Sequence, residues 1–188
     1  MGCPCLKAAK FKKFQDERIK KKVVIVGLDG TGKTAILHRI KTGQFVDTTT
    51  TIGLNMETII HKDMELLMFD VGGKARSMWS YYFENVDAII FVVDCQDKER
   101  LGIVREEIIR VADAVKNYKC VFLLYLNKQD LKDKLDLKDI VKELGVSDID
   151  HPVDFIFQKS SALTGEGVME GLDKMTAHLE HSTSTIKS

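Results

Sequence analysis

The sequence predicts an α/β domain, a doubly wound, six-stranded, mostly parallel sheet with helices on both faces. Short apolar runs alternate with segments of helical periodicity along the chain, the order that builds parallel strands joined by crossover helices. The first apolar run, KVVIVG (22–27), leads into a glycine-rich turn that opens a helix, as a strand–loop–helix unit requires. A length of 188 residues, with 44% hydrophobic and 30% charged side chains, suits one domain with a sizeable core.

The elements follow in order. Residues 22–27 read as a buried strand and 33–41 as a helix. Residues 43–53 contain four consecutive threonines and read as a loop. NMETIIH (55–61) and MELLMFD (64–70) form a hairpin turning at Lys62-Asp63. DAIIFVVD (87–94) and CVFLLYLN (120–127) are two more buried strands. Between them Leu101, Val104, Ile108, Val111 and Val115 recur at helical spacing across 98–116. A short helix covers 136–144, VDFIFQKS (153–160) is the sixth strand, and 167–180 is the closing helix. The chain divides into a basic leader (1–17), a globular domain (18–180) and a frayed tail (181–188) with no cysteine suited to prenylation.

Net charge is zero but unevenly spread. Residues 1–22 hold eight Lys/Arg against two Asp/Glu, a local +6 that leaves −6 on the remainder. A basic leader on an acidic body points to a membrane surface more than to nucleic acid. The four cysteines (3, 5, 95, 120) form neither a disulfide framework nor a zinc pattern, which favours a reducing, cytoplasmic compartment. No apolar run approaches the roughly 20 residues of a membrane span, and the leader is too polar for a secretory signal. The five histidines show no metal-ligand spacing.

Three motifs carry chemistry. GLDGTGKT (27–34) sits between a strand and a helix, the context of a phosphate-binding P-loop. In it the backbone of Gly27, Leu28, Asp29, Gly30, Thr31 and Gly32 surrounds phosphate oxygens, Lys33 supplies positive charge, and the Thr34 hydroxyl ligates Mg2+. NKQD (127–130) names the base: Asp130 accepts from guanine N1–H and the exocyclic amine, a donor pair that adenine lacks. Asn127 would tie this loop to the P-loop, and the Lys128 stem would cover the base. SSAL (160–163) supplies Ser161, Ala162 and Leu163, whose backbone amides could meet guanine O6. Thr34, a threonine of the TTTTIG run and, through water, Asp70 form an oxygen-rich Mg2+ set. Sequence barely separates Thr50 from Thr51, of which Thr51 is chosen. Gly73 would offer its amide to the γ-phosphate, so that losing this phosphate frees the loop.

The chain resembles an ADP-ribosylation-factor-type small GTPase across roughly residues 18–180. The marks are GLDGTGKT, TIGLNMET (51–58), DVGG (70–73), WSYYF (79–83), FVVDCQDKERL (91–101), NKQDL (127–131) and SALTGEGVMEGL (161–172). Asp29, the TIG tripeptide and DVGG favour this family over Ras-like or Rab-like relatives. The resemblance implies a P-loop NTPase small G-domain, GDP/GTP exchange, and effectors bound through two switch segments. It also implies that the hairpin between the switches slides when GTP replaces GDP. Trp79, Tyr81 and Tyr82 read equally as core or as partner-binding aromatics beside the second switch.

One departure bears on catalysis. The family follows its glycine pair with Gln-Asp, then Lys-Ile-Arg-Pro-Leu-Trp; here Gly73 is followed by Lys74-Ala75-Arg76-Ser77-Met78-Trp79. A two-residue deletion aligns the Lys, Arg and Trp; alignment without a gap puts Lys74 in the glutamine's place. Either way the amide that positions water is missing, and an ammonium has no acceptor to replace it. The catalytic set therefore reduces to Lys33, Thr51 and Gly73, with Lys74 nearby.

MGCPCL places Gly2 where N-myristoylation occurs, although the full motif wants Ser or Thr at position 6 and this chain has Leu6. Cys3 and Cys5 read either as palmitoylation sites or as plain thiols. One acyl chain holds a protein to a membrane only marginally, so palmitate or Lys7, Lys10, Lys12 and Lys13 would supply the second signal. The expectation is a monomeric guanine-nucleotide switch recruited to the cytosolic face of a Golgi, endosomal or plasma membrane. It would act in vesicle trafficking or membrane signalling, with slow or partner-assisted hydrolysis, and meet an exchange factor, an activating protein and effectors. The alternative is a GTP-bound scaffold that does not hydrolyse. A small-metabolite kinase is disfavoured by NKQD with SSAL and by the lack of an Arg-rich lid.

Overall fold

The computed structural model describes residues 18–49, 51, 53–132, 134–149 and 153–184. The leader with Gly2, Cys3 and Cys5, Thr50, and the last four residues lie outside the described residues. Strand β1 (Ile19–Val26) is followed by α1 (Lys33–Thr42), β2 (Leu54–His61) and β3 (Met64–Val71). After a 3-10 helix (Arg76–Tyr82) come β4 (Ala88–Asp94), α2 (Leu101–Val115) and β5 (Val121–Asn127). The chain closes with α3 (Leu137–Leu144), β6 (Asp154–Lys159) and α4 (Val168–Ser184). The six strands lie in the order β2-β3-β1-β4-β5-β6. Among the described residues only β2 runs antiparallel, paired with β3 from Leu54↔Val71 to His61↔Met64.

Alternation along β1 builds both faces of the core. Val23 and Ile25 pack with Ile36, Leu37 and Ile40 of α1 and with Leu172, Met175 and Leu179 of α4. Val24 and Val26 pack on the opposite face with Val104, Ile108 and Val111 of α2 and with Ile140 and Leu144 of α3. Successive strand residues point to opposite sides, so the half of β1 that is covered on both faces, Val23–Val26, is apolar throughout, while Lys20–Lys22 precede it on the less buried half. Each such buried side chain is worth about 1.5–3 kcal/mol relative to exposure. All five apolar positions expected on the helix after β4 are buried.

Three details differ from the sequence expectation. The closing helix runs on to Ser184, into the segment expected as a tail. The 3-10 helix Arg76–Tyr82 has no sequence signature of its own; its Trp79 is 1% exposed, in the core beside Phe91 in an edge-to-face contact at 6.1 Å. Tyr81, by contrast, is 77% exposed, so the aromatic cluster divides between core and surface. The hairpin turns at Lys62-Asp63 as expected, with Lys62 in a left-handed conformation (φ 52°). No helix among the described residues is long and apolar enough to cross a membrane.

The topology also fixes where a ligand can sit. β1 is flanked by β3 on one side and β4 on the other. The winding therefore reverses across β1, and the loops beyond the carboxyl ends of these strands diverge to leave a crevice.

Candidate nucleotide-binding site

The crevice is a cleft of about 280 Å³ whose walls include Asp29, Lys33, Thr34, Thr51, Gly73, Asn127, Lys128, Asp130, Ala162 and Leu163. One wall is the loop between β1 and α1. Helix α1 starts at Gly32 (φ 92°) with no side-chain cap and no acidic residue in its first turn, whereas α3 is capped by Asp136. Uncapped amides and an uncompensated positive helix end make an anion site. Glycine is required at 32 because a Cβ there would lie 2.5 Å from Asn127 Nδ2. Leu28 contributes its backbone: its carbonyl accepts from Thr31 Oγ1 at 3.0 Å and Lys33 Nζ at 2.8 Å, while its side chain lies in the core. Burial holds the Lys33 ammonium below its ordinary pKa, opposed by Asp70 and Asp29.

The three expected cation ligands converge from three elements. Thr34 of α1 donates to Asp70 Oδ2 of β3 at 2.6 Å, and its hydroxyl lies 2.7 Å from that of Thr51. With one hydroxyl proton already committed, Thr34 accepts from Thr51. Of the two threonines that sequence barely separated, Thr51 is thus within reach of the cluster. Asp70 is fully buried, and its Oδ1 has no hydrogen-bond partner among the described residues. Burial raises its carboxyl above the ordinary value, against the Thr34 hydrogen bond and the nearby Lys33 and His38 charges. A buried, orphaned carboxylate oxygen beside two hydroxyls suits a hard divalent cation and its waters, and the residues present fit Mg2+.

The NKQD and SSAL loops, expected to read the base, are tied to the GLDGTGKT loop. Asn127 donates from Nδ2 to the Thr31 carbonyl at 2.8 Å, and its Oδ1 accepts the Ala162 amide at 3.0 Å. One amide side chain thus joins P-loop, NKQD and SSAL. Ser161 Oγ donates to Asp130 Oδ1 at 2.5 Å and orients that carboxylate, while the Ser161 amide is bound to the Glu166 carbonyl. Lys128, in a left-handed conformation, pairs its ammonium with Asp94 at 2.6 Å. Lys128 also lines the cleft.

Gly73 lies against the P-loop; a Cβ on it would fall 2.3 Å from the Asp29 amide nitrogen. The next residue, Lys74, is exposed and does not line the cleft. Among the described residues no glutamine, glutamate or histidine lines it.

Sequence reasoning missed four residues. Phe45 and Asp47 line the mouth. Arg39 donates to the carbonyls of Ala162 at 3.1 Å, Gly43 at 2.8 Å and Leu163, fastening the SSAL loop to α1. Arg100 reaches back to Asp29. These arginine contacts to the other loop span 123, 124 and 71 positions, and no local pattern announces them.

The family model for the ADP-ribosylation factor family matches residues 8–179. Among solved structures, the chain is similar to the Arl6 BBS3 small GTPase from Trypanosoma brucei with bound nucleotide analogue GppNp. The likeness has a TM-score of 0.79 at 32% identity and covers 87% of this chain and 99% of that one. With the GLDGTGKT, NKQD and SSAL segments brought to one cleft, the chain belongs to the ADP-ribosylation factor family of small GTPases, GTP-binding molecular switches.

Proposed function

We propose that this chain is a membrane-recruited switch that binds GTP persistently because its own hydrolysis is slow. Family members are generally GTP hydrolases; what sets this chain apart is its second switch. The observation that carries the reading is that Gly73 abuts the phosphate loop while, among the described residues, no glutamine, glutamate or histidine lines the cleft and the residue after Gly73 is an exposed lysine.

In this reading Lys33 and the α1 amides hold the phosphates, and Asp130, oriented by Ser161, reads the guanine edge. Thr34, Thr51 and, through water, Asp70 would hold Mg2+, which when bound neutralises phosphate charge. Gly73 donates its amide to the terminal phosphate and so couples the second switch to the nucleotide. Intrinsic turnover in a glutamine-containing Ras-type site is about 10⁻⁴ per second, and losing a positioning group commonly removes on the order of a hundredfold. Single-turnover hydrolysis by the purified protein with magnesium is therefore expected at ~10⁻⁶ per second. A rate equal to that of glutamine-containing relatives would refute it. Failure of every candidate activating protein to speed turnover, with GTP co-purifying, would favour the non-hydrolysing scaffold.

Membrane recruitment is proposed through Gly2, Cys3, Cys5 and the lysines of the leader. Cell fractionation of Gly2→Ala and Cys3→Ser/Cys5→Ser variants tests this, and unchanged membrane association in both would count against it.

A further inference from the structure

The phosphate loop carries a carboxylate on the wall that would face a triphosphate. Asp29 lines the cleft and touches Gly73. A negative side chain here repels phosphate, and repels GTP more than GDP because GTP carries additional charge at the γ position. Arg100 corrects the sign. It ends a 3-10 turn (Lys98–Arg100) between β4 and α2. Its Nη1 donates to Asp29 Oδ1 and its Nη2 to the Asp29 carbonyl, both at 3.2 Å. Asp97 aims the fork from behind: Oδ2 accepts from Arg100 Nε at 2.5 Å and Oδ1 from the Arg100 amide at 3.2 Å. A planar guanidinium can grip a carboxylate and a carbonyl together, which a lysine ammonium on its flexible stem does poorly.

The pair is not there for folding stability. The Arg100 and Asp29 side chains are 34% and 43% exposed, and ion pairs exposed to that degree contribute about 0–1 kcal/mol. The effect falls instead on the charge and position of the loop tip.

We infer that Arg100 is a specificity-determining positioning residue, which by neutralising and holding Asp29 lets the phosphate loop accept the terminal phosphate of GTP. The inference rests on the nucleotide reading above. Arg100 acts through Asp29 rather than on the nucleotide.

The test compares affinities of the full chain, with magnesium, for GDP and for a non-hydrolysable GTP analogue. Arg100→Gln is expected to weaken the analogue about tenfold more than GDP, the scale of one uncompensated, partly screened charge. Asp29→Asn in the same chain should restore the ratio to within about twofold of wild type, and Arg100→Lys should fall between. Asp29→Asn alone, which does not depend on an Arg100 variant folding, should hold the ratio at or above wild type. Equal losses for both nucleotides, no rescue in the double variant, or a fall in the ratio for Asp29→Asn alone would each overturn the inference. A wild-type chain that retains neither nucleotide would overturn the nucleotide reading itself, and this inference with it.

Discussion

Replacing Asn127 with alanine tests whether one amide holds the nucleotide cleft together. The side chain is 1% exposed. It donates to the Thr31 carbonyl at 2.8 Å and accepts the Ala162 amide at 3.0 Å, with the Ser160 hydroxyl at the edge of range at 3.5 Å. Truncation leaves the first two backbone groups unpaired in a buried setting, each worth about 1–3 kcal/mol. Water entering the vacated space recovers part of this, so the expected loss is about 2–4 kcal/mol. A domain with about 5–15 kcal/mol of stability would survive, but weakened. Asn127→Asp separates the two bonds: it keeps the acceptor for Ala162 and turns the donor facing Thr31 into an acceptor, so it should also destabilise. Urea unfolding of the nucleotide-free chain reads both. GDP and GTP should weaken alike, because both depend on the same joined loops. A loss below about 0.5 kcal/mol for the alanine variant, or an aspartate variant indistinguishable from wild type, would refute the reasoning.

Three further outcomes are expected. Thr34→Ala removes the hydroxyl that joins Thr51 to Asp70, so magnesium should slow nucleotide dissociation about 10–100-fold less than in wild type; an unchanged gap between magnesium and EDTA would contradict the cation assignment. Trp79 donates to the Gly72 carbonyl at 3.3 Å and fills the core, so Trp79→Phe should cost about 1 kcal/mol and Trp79→Ala about 3–5 kcal/mol in thermal unfolding; equal losses would mean that packing and hydrogen bond are wrongly apportioned. Asp173 on α4 meets the hairpin tip, 2.7 Å from Lys62 Nζ and 3.0 Å from His61 Nε2; the Lys62 hydrogen bond, followed by that of His61, holds its carboxyl below the ordinary 3.8. A carboxylate lowered on folding stabilises above its unfolded pKa and loses that contribution as pH falls through the folded one. Because Asp173 is 48% exposed, Asp173→Asn should cost only about 0.2–1 kcal/mol at pH 7, and the difference from wild type should shrink below pH 3.8. A difference that grows in acid would contradict the pairing.

Much of this protein was determined by sequence alone, because local patterns carry local physics. Apolar runs of strand length located the six strands, although β1 starts at Ile19, three residues before its run; helical spacing located α2, and GLDGTGKT, DVGG and NKQD pointed to the cleft. These signals are legible in the chain itself because a glycine at a tight approach or a lysine at a helix start is dictated by its immediate neighbours. Tertiary structure decided what depends on distant chain segments meeting. It brought Thr51 to Thr34 and Asp70, divided Trp79 from Tyr81 between core and surface, and set Lys74 outside the cleft. It also delivered Arg39 and Arg100 to loops 123 and 71 positions away. An arginine reads alike in sequence whether it is solvated or clamps a phosphate loop. Only the packing of the sheet, which carries the loops after β1, β4 and β6 to one edge, determines which of these it does.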